Sequence, residues 1–302
     1  MIRKVIVVVL MLAASVFATD RTALLQKNLE ALAAKHEGKV ALFAKNLATG
    51  ETVAIDADRP VQTASVIKLP LLLEAYTQVK EGKLKLDDPV PLTKENQVQG
   101  SGVLGFLHPG LNLTLHDALV LMVVLSDNTA TNLVIDKVGL KPTNEMTAAM
   151  GLKNTYFYKK VYVKATEPLP EDFKKFGLGK TTAREMAEVM QAIYQCKLGD
   201  QKLCDDMQFI LRNQQYRAMI PRYLEVADTS EGLSAIGDKI GALDAVRNDV
   251  AFIITKKGTF IISAFTYDNK DQRWTPENKA EILIGHMAKE IVDAWGGEVT
   301  SH

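Results

Sequence analysis

A serine and a lysine three residues apart, Ser65 and Lys68, form the first pair in the chain that could do chemistry. They lie where a loop containing Pro60 enters an apolar segment, Leu69 to Tyr76, which we predict to be a buried helix. Lys68 would lie one turn from Ser65 on the same face, close enough for its amine to hydrogen-bond the hydroxyl. A lysine of lowered pKa can activate a serine in this way. An N-cap serine followed by a solvated lysine gives the same pattern.

The elements around this pair predict an α+β fold. Helical periodicity or an apolar run predicts helices at 22–36, 69–76, 115–125, 129–138, 144–150, 182–194, 205–212 and 276–295, with Thr114 and Thr275 as N-caps. Strand patterns and turn residues predict strands at 40–46, 52–55, 238–243, 250–255 and 260–267. We therefore expect one antiparallel sheet of about five strands flanked by the N- and C-terminal helices, with an all-helical inserted region. Residues 19–64 and about 215–302 would form the α/β part, and about 65–214 the helical part.

Two more polar clusters fall on this scaffold. They are Ser-Asp-Asn at 126–128, where a predicted buried helix ends, and Lys-Ile-Gly at 239–241 on a late strand. With Ser65 and Lys68, their order and separation resemble the active-site set of the penicillin-recognising serine enzymes, class A β-lactamases in particular. The resemblance covers essentially the whole chain after residue 18, including 99–104, 125–130 and 180–182. It implies the β-lactamase/transpeptidase-like fold.

The resemblance also implies a proton path. Ser65 would be the acylated nucleophile and Lys68 its base or proton relay. Ser126 would pass a proton to the nitrogen that leaves. Acyl transfer needs such a nucleophile and path, together with preorganised donors for the oxyanion.

Substrate binding is implied for a second group of residues. Asn128 would bind the side-chain amide carbonyl of the substrate and steady Lys68. Lys239 would supply positive potential that keeps Lys68 poised and attracts a substrate carboxylate. Gly241 completes the strand motif, and the backbone N–H groups of Ser65 and Ala242 would form the oxyanion hole.

Release of the acyl group needs a carboxylate that holds a water molecule. Glu167, in Thr-Glu-Pro-Leu at 166–169, falls where the class A family keeps its deacylating glutamate, counted back from Thr181. The family has an asparagine four residues later, where this chain has Glu171. A second carboxylate there could disfavour the charged form of Glu167 or place the water differently. The alternative is that both are solvated loop acids.

Recognition of the substrate carboxylate departs from the family pattern. Ile240 lies where the family carries threonine or serine, whose hydroxyl contacts that carboxylate, and isoleucine cannot replace it. Arg247 could compensate as a bidentate clamp. The alternative for Arg247 is a surface salt bridge or a charge at the end of a hairpin.

Composition and the first residues bear on location and partners. The chain has 302 residues with 36 basic and 36 acidic side chains, so nothing suggests a nucleic-acid partner. Residues 1–18 have a basic start, an apolar run and a small-residue cleavage site, which predicts a signal peptide. The run is shorter than the roughly 20 apolar residues that span a bilayer. We expect a periplasmic or secreted bacterial protein, off the membrane after cleavage and monomeric.

The cysteines and histidines give no sign of a metal site. Cys196 and Cys204 flank a turn-like stretch and could close a local disulfide in an oxidising compartment, or remain free thiols. The five histidines are scattered and lack metal-ligand spacing: His36, His108, His116, His286 and His302. We expect no metal and no cofactor.

Three functions remain open. The leading hypothesis is a secreted serine β-lactamase that hydrolyses β-lactams through a Ser65 acyl-enzyme, with Glu167 activating the deacylating water. The second is a D-alanyl-D-alanine peptidase, or a related amidase or esterase. The third is a penicillin-binding sensor or scavenger that is acylated and stays so.

Overall fold

The computed structural model describes residues 21–224 and 235–296. The predicted signal peptide, residues 1–18, lies outside these ranges. Within them, no helix is both long and apolar enough to cross a membrane.

Five antiparallel strands form the central sheet, as the sequence predicts. The strands of the molecule are β1 (Lys39–Asn46), β2 (Thr52–Ile55), β3 (Val61–Gln62), β4 (Pro89–Pro91), β5 (Asn112–Thr114), β6 (Tyr156–Phe157), β7 (Gly179–Thr181), β8 (Ile236–Leu243), β9 (Val246–Thr255) and β10 (Gly258–Tyr267). The order in the central sheet is β2-β1-β10-β9-β8, and all four pairings are antiparallel. Both ends of the chain therefore build one sheet, and β8 forms an edge next to the helical part.

The inserted region is not all helical, which corrects that part of the prediction. It contributes to a three-stranded sheet, β3-β7-β6, and contains a two-stranded one, β4-β5. These strands are two or three residues long, too short for an alternating pattern to be visible in the sequence. The three-stranded sheet lies directly before the Ser65 turn, where Thr63 N donates to Gly179 O at 3.1 Å.

The predicted helices are present, with differences at their ends, and the short α6 is a helix that the sequence did not predict. They are α1 (21–34), α2 (Lys68–Lys80), α3 (Leu115–Val124), α4 (Asn128–Val138), α5 (Leu140–Ala149), α6 (Phe173–Phe176), α7 (Ala183–Tyr194), α8 (Gln201–Arg212) and α9 (Lys279–Ala294). Thr114 caps α3 in a capping box with Asp117, as predicted. Thr275 is not the cap of the last helix, because the Asn278 side chain accepts the first free N–H groups of α9.

Two hydrophobic cores lie on opposite faces of the central sheet. On β10, Ile261 and Phe265 pack into the core that contains the inserted helices, while Phe260 and Ile262 pack into the core that contains α1 and α9. Side chains alternate between the faces of a strand, and both faces are covered, so β9 and β10 are buried along nearly their whole length. Odd-numbered residues of β8 consequently face the inserted helices, and even-numbered ones face α9.

A disulfide joins Cys196, just after α7, to Cys204 in α8. The structure thus confirms the local bridge rather than two free thiols. Both helices contribute side chains to the core between the sheet and the inserted helices.

Candidate active site

Ser65 lies in a 3₁₀ turn, Ala64–Ile67, that runs directly into α2. Its side chain is partly exposed, whereas those of Ala64, Val66 and Ile67 are buried. Ala64 has a φ of 45°, a left-handed conformation that costs a non-glycine residue about 1 kcal/mol. This bend turns the chain so that the serine, and not its apolar neighbours, is open to solvent. The prediction of Ser65 at a helix start is confirmed, with the 3₁₀ turn in front.

Lys68 is fully buried and its amine is held by three acceptors. Nζ donates to Ser126 O at 2.7 Å and contacts Ser126 Oγ at 3.1 Å and Asn128 Oδ1 at 3.2 Å. The predicted bond to the Ser65 hydroxyl is not formed within the described ranges, because the amine is directed instead to Ser126 and Asn128. Burial, and then the charge on Lys239, hold the pKa of Lys68 well below its usual value, against an opposing effect of Asp127.

Ser126 bridges the two buried lysines. Its hydroxyl oxygen is 3.1 Å from Lys68 Nζ and 3.0 Å from Lys239 Nζ. It lies between α3 and α4 with a φ of 53°, and it is only 3% exposed. The left-handed turn between two helices thus carries a hydroxyl into the interior, where protons can pass between it and Lys68.

Asp127 is a site residue to which the sequence analysis gave no role. One carboxylate oxygen caps α4 by accepting from Ala130 N at 2.9 Å. The other accepts from Val103 N at 2.6 Å and Leu104 N at 2.8 Å. An acidic residue just before a helix was the available signal. Asp127 ties the segment after Gly102 to the helix junction that holds Ser126.

Asn128 opens α4 with its side chain directed at the cluster. Its Oδ1 accepts from Lys68 at 3.2 Å, and its Nδ2 donates to Gln99 O at 3.3 Å. Its backbone N–H donates to Ser101 O at 2.9 Å. The amide is therefore fixed between the lysine and the segment that begins at Gln99.

Lys239 enters from the edge strand on the face toward the inserted helices. It is fully buried, and Nζ donates to Ile240 O at 2.7 Å as well as contacting Ser126. Burial lowers the pKa of Lys239 to about 7, against Asp238 and Asp249, which act in the opposite direction. Those two carboxyls are themselves fully buried, and burial raises the pKa of each.

Gly241 allows β8 to touch the Ser65 turn. A Cβ at this position would lie 2.7 Å from Thr63 O, 2.8 Å from Ser65 N and 3.0 Å from Val66 N, so only glycine fits. Asn248, the register partner of Gly241, holds the same turn by donating to Gln62 O at 2.9 Å and Thr63 O at 3.1 Å. The sequence analysis did not single out Asn248, since a strand asparagine has no local signature.

The two backbone N–H groups predicted to form the oxyanion hole belong to residues at or next to this contact. Ser65 N lies in the first turn of a short helix, where N–H groups have no partner inside the helix. Ala242 follows Gly241 on an edge strand, whose outer side leaves backbone groups unpaired. The arrangement can therefore offer two N–H groups to one oxygen beside Ser65.

Arg247 and Ile240 face away from this cluster, which corrects the predicted clamp. Ile240 packs against the core on the α9 side. Arg247 is fully buried on the same side, where it donates to Glu281 at 2.9 Å, to Arg273 O at 2.8 Å and to the carbonyls of Leu243 and Val246. Lys239 and Arg247 alternate to opposite faces of the sheet, so this guanidinium serves the fold.

The whole chain was compared with known proteins. The model of the β-lactamase enzyme family, Beta-lactamase2, matches residues 24–295. The chain belongs to this family.

Solved structures extend the comparison. A β-lactamase from Sphaerobacter thermophilus is 33% identical, with a TM-score of 0.78 over 89% of this chain and 96% of that one. PBP-A is 23% identical, with a TM-score of 0.75 over 90% and 95%, and a class A β-lactamase from Mycobacterium abscessus is 20% identical, with a TM-score of 0.74 over 90% and 100%. These last two likenesses show a shared fold.

A curated relative matches only in part. The β-lactamase regulatory protein BlaB of Streptomyces cacaoi is 26% identical over 125 residues. The match covers 40% of this chain and 40% of that protein, so the chain spans less than half the length of this relative.

Glu167 does not join the cluster of Lys68, Ser126 and Lys239 in this β-lactamase family member. Its side chain is exposed on the loop between β6 and α6, beside a cavity of about 760 Å³ against α5 that Asn144, Tyr156 and Lys160 also line. Within residues 21–224 and 235–296, no hydrogen bond or ion pair joins its carboxylate to Lys68 or Ser126. Glu171 is exposed on the same loop.

The same loop contacts α4 at Val161, six residues before Glu167. The Asn132 side chain accepts from Val161 N at 2.8 Å and donates to Val161 O at 2.9 Å, and Asn132 is buried. Tyr162 follows with a φ of 55°. The sequence analysis missed these residues, because an amide that pairs with a distant backbone leaves no local pattern.

Metal ions find no evident site here. Across the described residues, no group of three or more His, Cys, Asp or Glu side chains is arranged to hold one.

Proposed function

We propose that the chain is a serine hydrolase of the β-lactamase type that opens the β-lactam ring by forming an acyl-enzyme at Ser65. One observation carries the proposal: a single buried hydroxyl, that of Ser126, contacts both Lys68 and Lys239 beside the Ser65 turn. Such an array supplies a base, a proton relay and a positive charge at one point. The family match over residues 24–295 supports the same reaction class.

These groups supply what acylation needs. The neutral amine of Lys68 takes the proton of Ser65 Oγ, and Oγ attacks the lactam carbonyl carbon, whose oxygen receives the N–H groups of Ser65 and Ala242. The C–N bond of the ring then breaks as Ser126 gives its proton to the nitrogen. Ser126 regains a proton from Lys68 through their 3.1 Å contact. Contacts of this kind often tighten only when substrate is bound.

Lys239 is the proposed partner of the substrate carboxylate. Arg247 is committed to Glu281 on the other face of the sheet, and Ile240 has no hydroxyl to offer. Recognition of the substrate carboxylate then depends on the Lys239 amine alone, whereas the family pattern combines a lysine with a hydroxyl. We expect weak ground-state binding of β-lactams, which would appear as a high dissociation constant of the non-covalent complex in pre-steady-state acylation.

Breakdown of the acyl-enzyme is the step that we propose to limit turnover. Glu167 remains the candidate to activate the water, but its carboxylate must first approach Ser65. Residues 164–169 make no hydrogen bond within the described ranges, and Pro168 and Pro170 have no N–H to donate. A segment with so few restraints can reach other conformations at low cost.

A time course of intact mass with benzylpenicillin tests the proposal. We expect one substrate mass to add to the enzyme rapidly and to disappear slowly. Ser65→Ala should show no adduct, and Glu167→Gln should prolong the adduct about tenfold or more, as loss of a general base implies. A folded wild-type protein that acquires no adduct would rule out acyl-enzyme chemistry at Ser65.

The exposed Glu167 also favours a second candidate, a penicillin-binding protein that is acylated and released very slowly. It acquires support from the fold shared with PBP-A. In this case Glu167→Gln leaves the adduct lifetime unchanged. Release of D-alanine from a pentapeptide mimic would then mark a peptidase, and its absence a sensor or scavenger.

We further propose export with cleavage after Ala18, as the composition of residues 1–18 suggests. The disulfide between Cys196 and Cys204 fits an oxidising compartment. The mass of the exported protein should correspond to a chain that begins at Thr19, and the protein should elute as a monomer.

A further inference from the structure

An exposed aromatic ring lies beside the Asn128 amide. A Cβ at Gly100, whose φ is +94°, would lie 2.7 Å from Asn128 Nδ2 and 2.9 Å from Tyr162 Cε2. The amide and the ring edge therefore flank one point, and only the hydrogen of a glycine separates them. The Tyr162 side chain is 61% exposed, so it does not fill a core.

Asn128 has one polar hydrogen left for a ligand. Its Oδ1 accepts from Lys68, and one hydrogen of Nδ2 is directed at Gln99 O. A carboxamide nitrogen carries two hydrogens, and among the contacts of the described residues the second has no acceptor. A ligand carbonyl bound there would carry its substituent past Gly100 toward Tyr162.

The backbone of Tyr162 is held in a conformation that a bulky residue seldom adopts. Its φ of 55° is left-handed and costs about 1 kcal/mol. The preceding residue, Val161, is fixed by the two hydrogen bonds that its backbone N–H and carbonyl form with the side chain of Asn132, which lies one turn along α4 from Asn128. One helix therefore positions both the amide and the tyrosine, and strain maintained in this way points to a functional position.

We propose that Tyr162 is a specificity-determining residue whose ring packs against the acyl side chain of the substrate, beyond the carbonyl that Asn128 binds. The ring offers apolar area and a face for another aromatic group. Substrates with an aromatic or bulky apolar side chain should react faster than those without one. The inference rests on the proposed acylation of Ser65.

Two penicillins that differ only in whether the nitrogen on C6 is acylated test it. Benzylpenicillin carries a phenylacetyl amide, and 6-aminopenicillanic acid carries no acyl side chain. We expect Tyr162→Ala to lower the second-order acylation constant for benzylpenicillin about tenfold and to change that for 6-aminopenicillanic acid by less than about twofold. Tyr162→Phe should retain both constants within about twofold, since the ring remains.

Controls separate the ring from the backbone and from the reaction itself. Phe209→Ala removes another exposed aromatic, on α8, and should change neither constant. Tyr162→Gly removes the ring and accepts the left-handed φ, so it stands in if Tyr162→Ala misfolds. The inference would be overturned if the acylation constants for both penicillins fell equally, or if neither Tyr162→Ala nor Tyr162→Gly lowered the constant for benzylpenicillin. It would also be overturned if Tyr162→Phe were acylated as slowly as Tyr162→Ala. A wild-type protein that neither penicillin acylates would instead refute the proposed function.

Discussion

Lys68 and Lys239 approach the same hydroxyl oxygen, that of Ser126, at 3.1 and 3.0 Å. Two buried ammonium groups so close to one oxygen would repel each other in a region of low dielectric constant. Lys239 is accompanied by Asp238 and Asp249, which favour its charged form, whereas Lys68 has Lys239 itself as a neighbour. The residues around the two amines thus assign the neutral base to Lys68 and the positive charge to Lys239.

The pH dependence of acylation should report both lysines. Neutral Lys68 is the active form, so the acylation constant rises through the low pKa of Lys68. Lys239 loses its charge as pH rises through about 7, so the constant for a penicillin with a free carboxylate falls above that pH. A penicillin methyl ester has no carboxylate to attract and should show no fall there.

Lys239→Arg is the variant that tests whether Lys239 causes the fall in the acylation constant above pH 7. A guanidinium stays protonated at every pH that the protein tolerates, so the fall above pH 7 should disappear for the free acid. Acylation constants measured from pH 5 to about 9 on both substrates are the readout. If the acylation constant of the methyl ester falls above pH 7 in parallel with that of the free acid, the fall arises from a group other than Lys239.

At the scale of elements, the contact between β8 and the Ser65 turn places the backbone N–H groups that we propose as oxyanion donors. The strand reaches the turn only at Gly241, where backbone atoms of three residues surround the position of a Cβ. Asn248 on β9 holds the other side of the turn through two carbonyls. The geometry of the reacting centre therefore depends on strand pairing several residues from the chemistry.

Two alanine substitutions on β8 should separate geometry from stability. In Gly241→Ala the new methyl meets backbone at 2.7–3.0 Å, so the strand must move from Ser65 N and the acylation constant should fall about 100-fold. In Gly237→Ala the methyl meets the Phe252 ring at 2.2 Å, which should lower the free energy of unfolding by about 2 kcal/mol with little change in acylation. Chemical denaturation and acylation kinetics on both variants measure this. The same fall in acylation for both would show that the contact at 241 has no special role.

At the scale of the whole molecule, local sequence patterns predicted the helices and strands. Long-range packing decided where individual side chains, such as those of Arg247 and Glu167, lie. The strands of the central sheet and the spacing of the three polar clusters were visible in the sequence. The face on which Arg247 lies was not, because a shift of one residue in strand register exchanges the faces. The position of Glu167 was not visible either, because its loop is held at Val161 by the side-chain amide of Asn132, which lies 29 residues away in the sequence.

The disulfide offers a test of whether global stability and the active site are separable. Cys196 and Cys204 are eight residues apart and connect the end of α7 to α8, whereas the residues around Ser65 come from α2, α4, β8 and the turns beside them. Replacing both by alanine frees the unfolded chain and should lower the free energy of unfolding by about 2–3 kcal/mol. The acylation constant at 25 °C should remain that of the wild type. Dithiothreitol should lower the stability of the wild type to that of the variant and leave the variant unchanged. A variant that is as stable as the wild type but slow to acylate would show instead that the disulfide shapes the site.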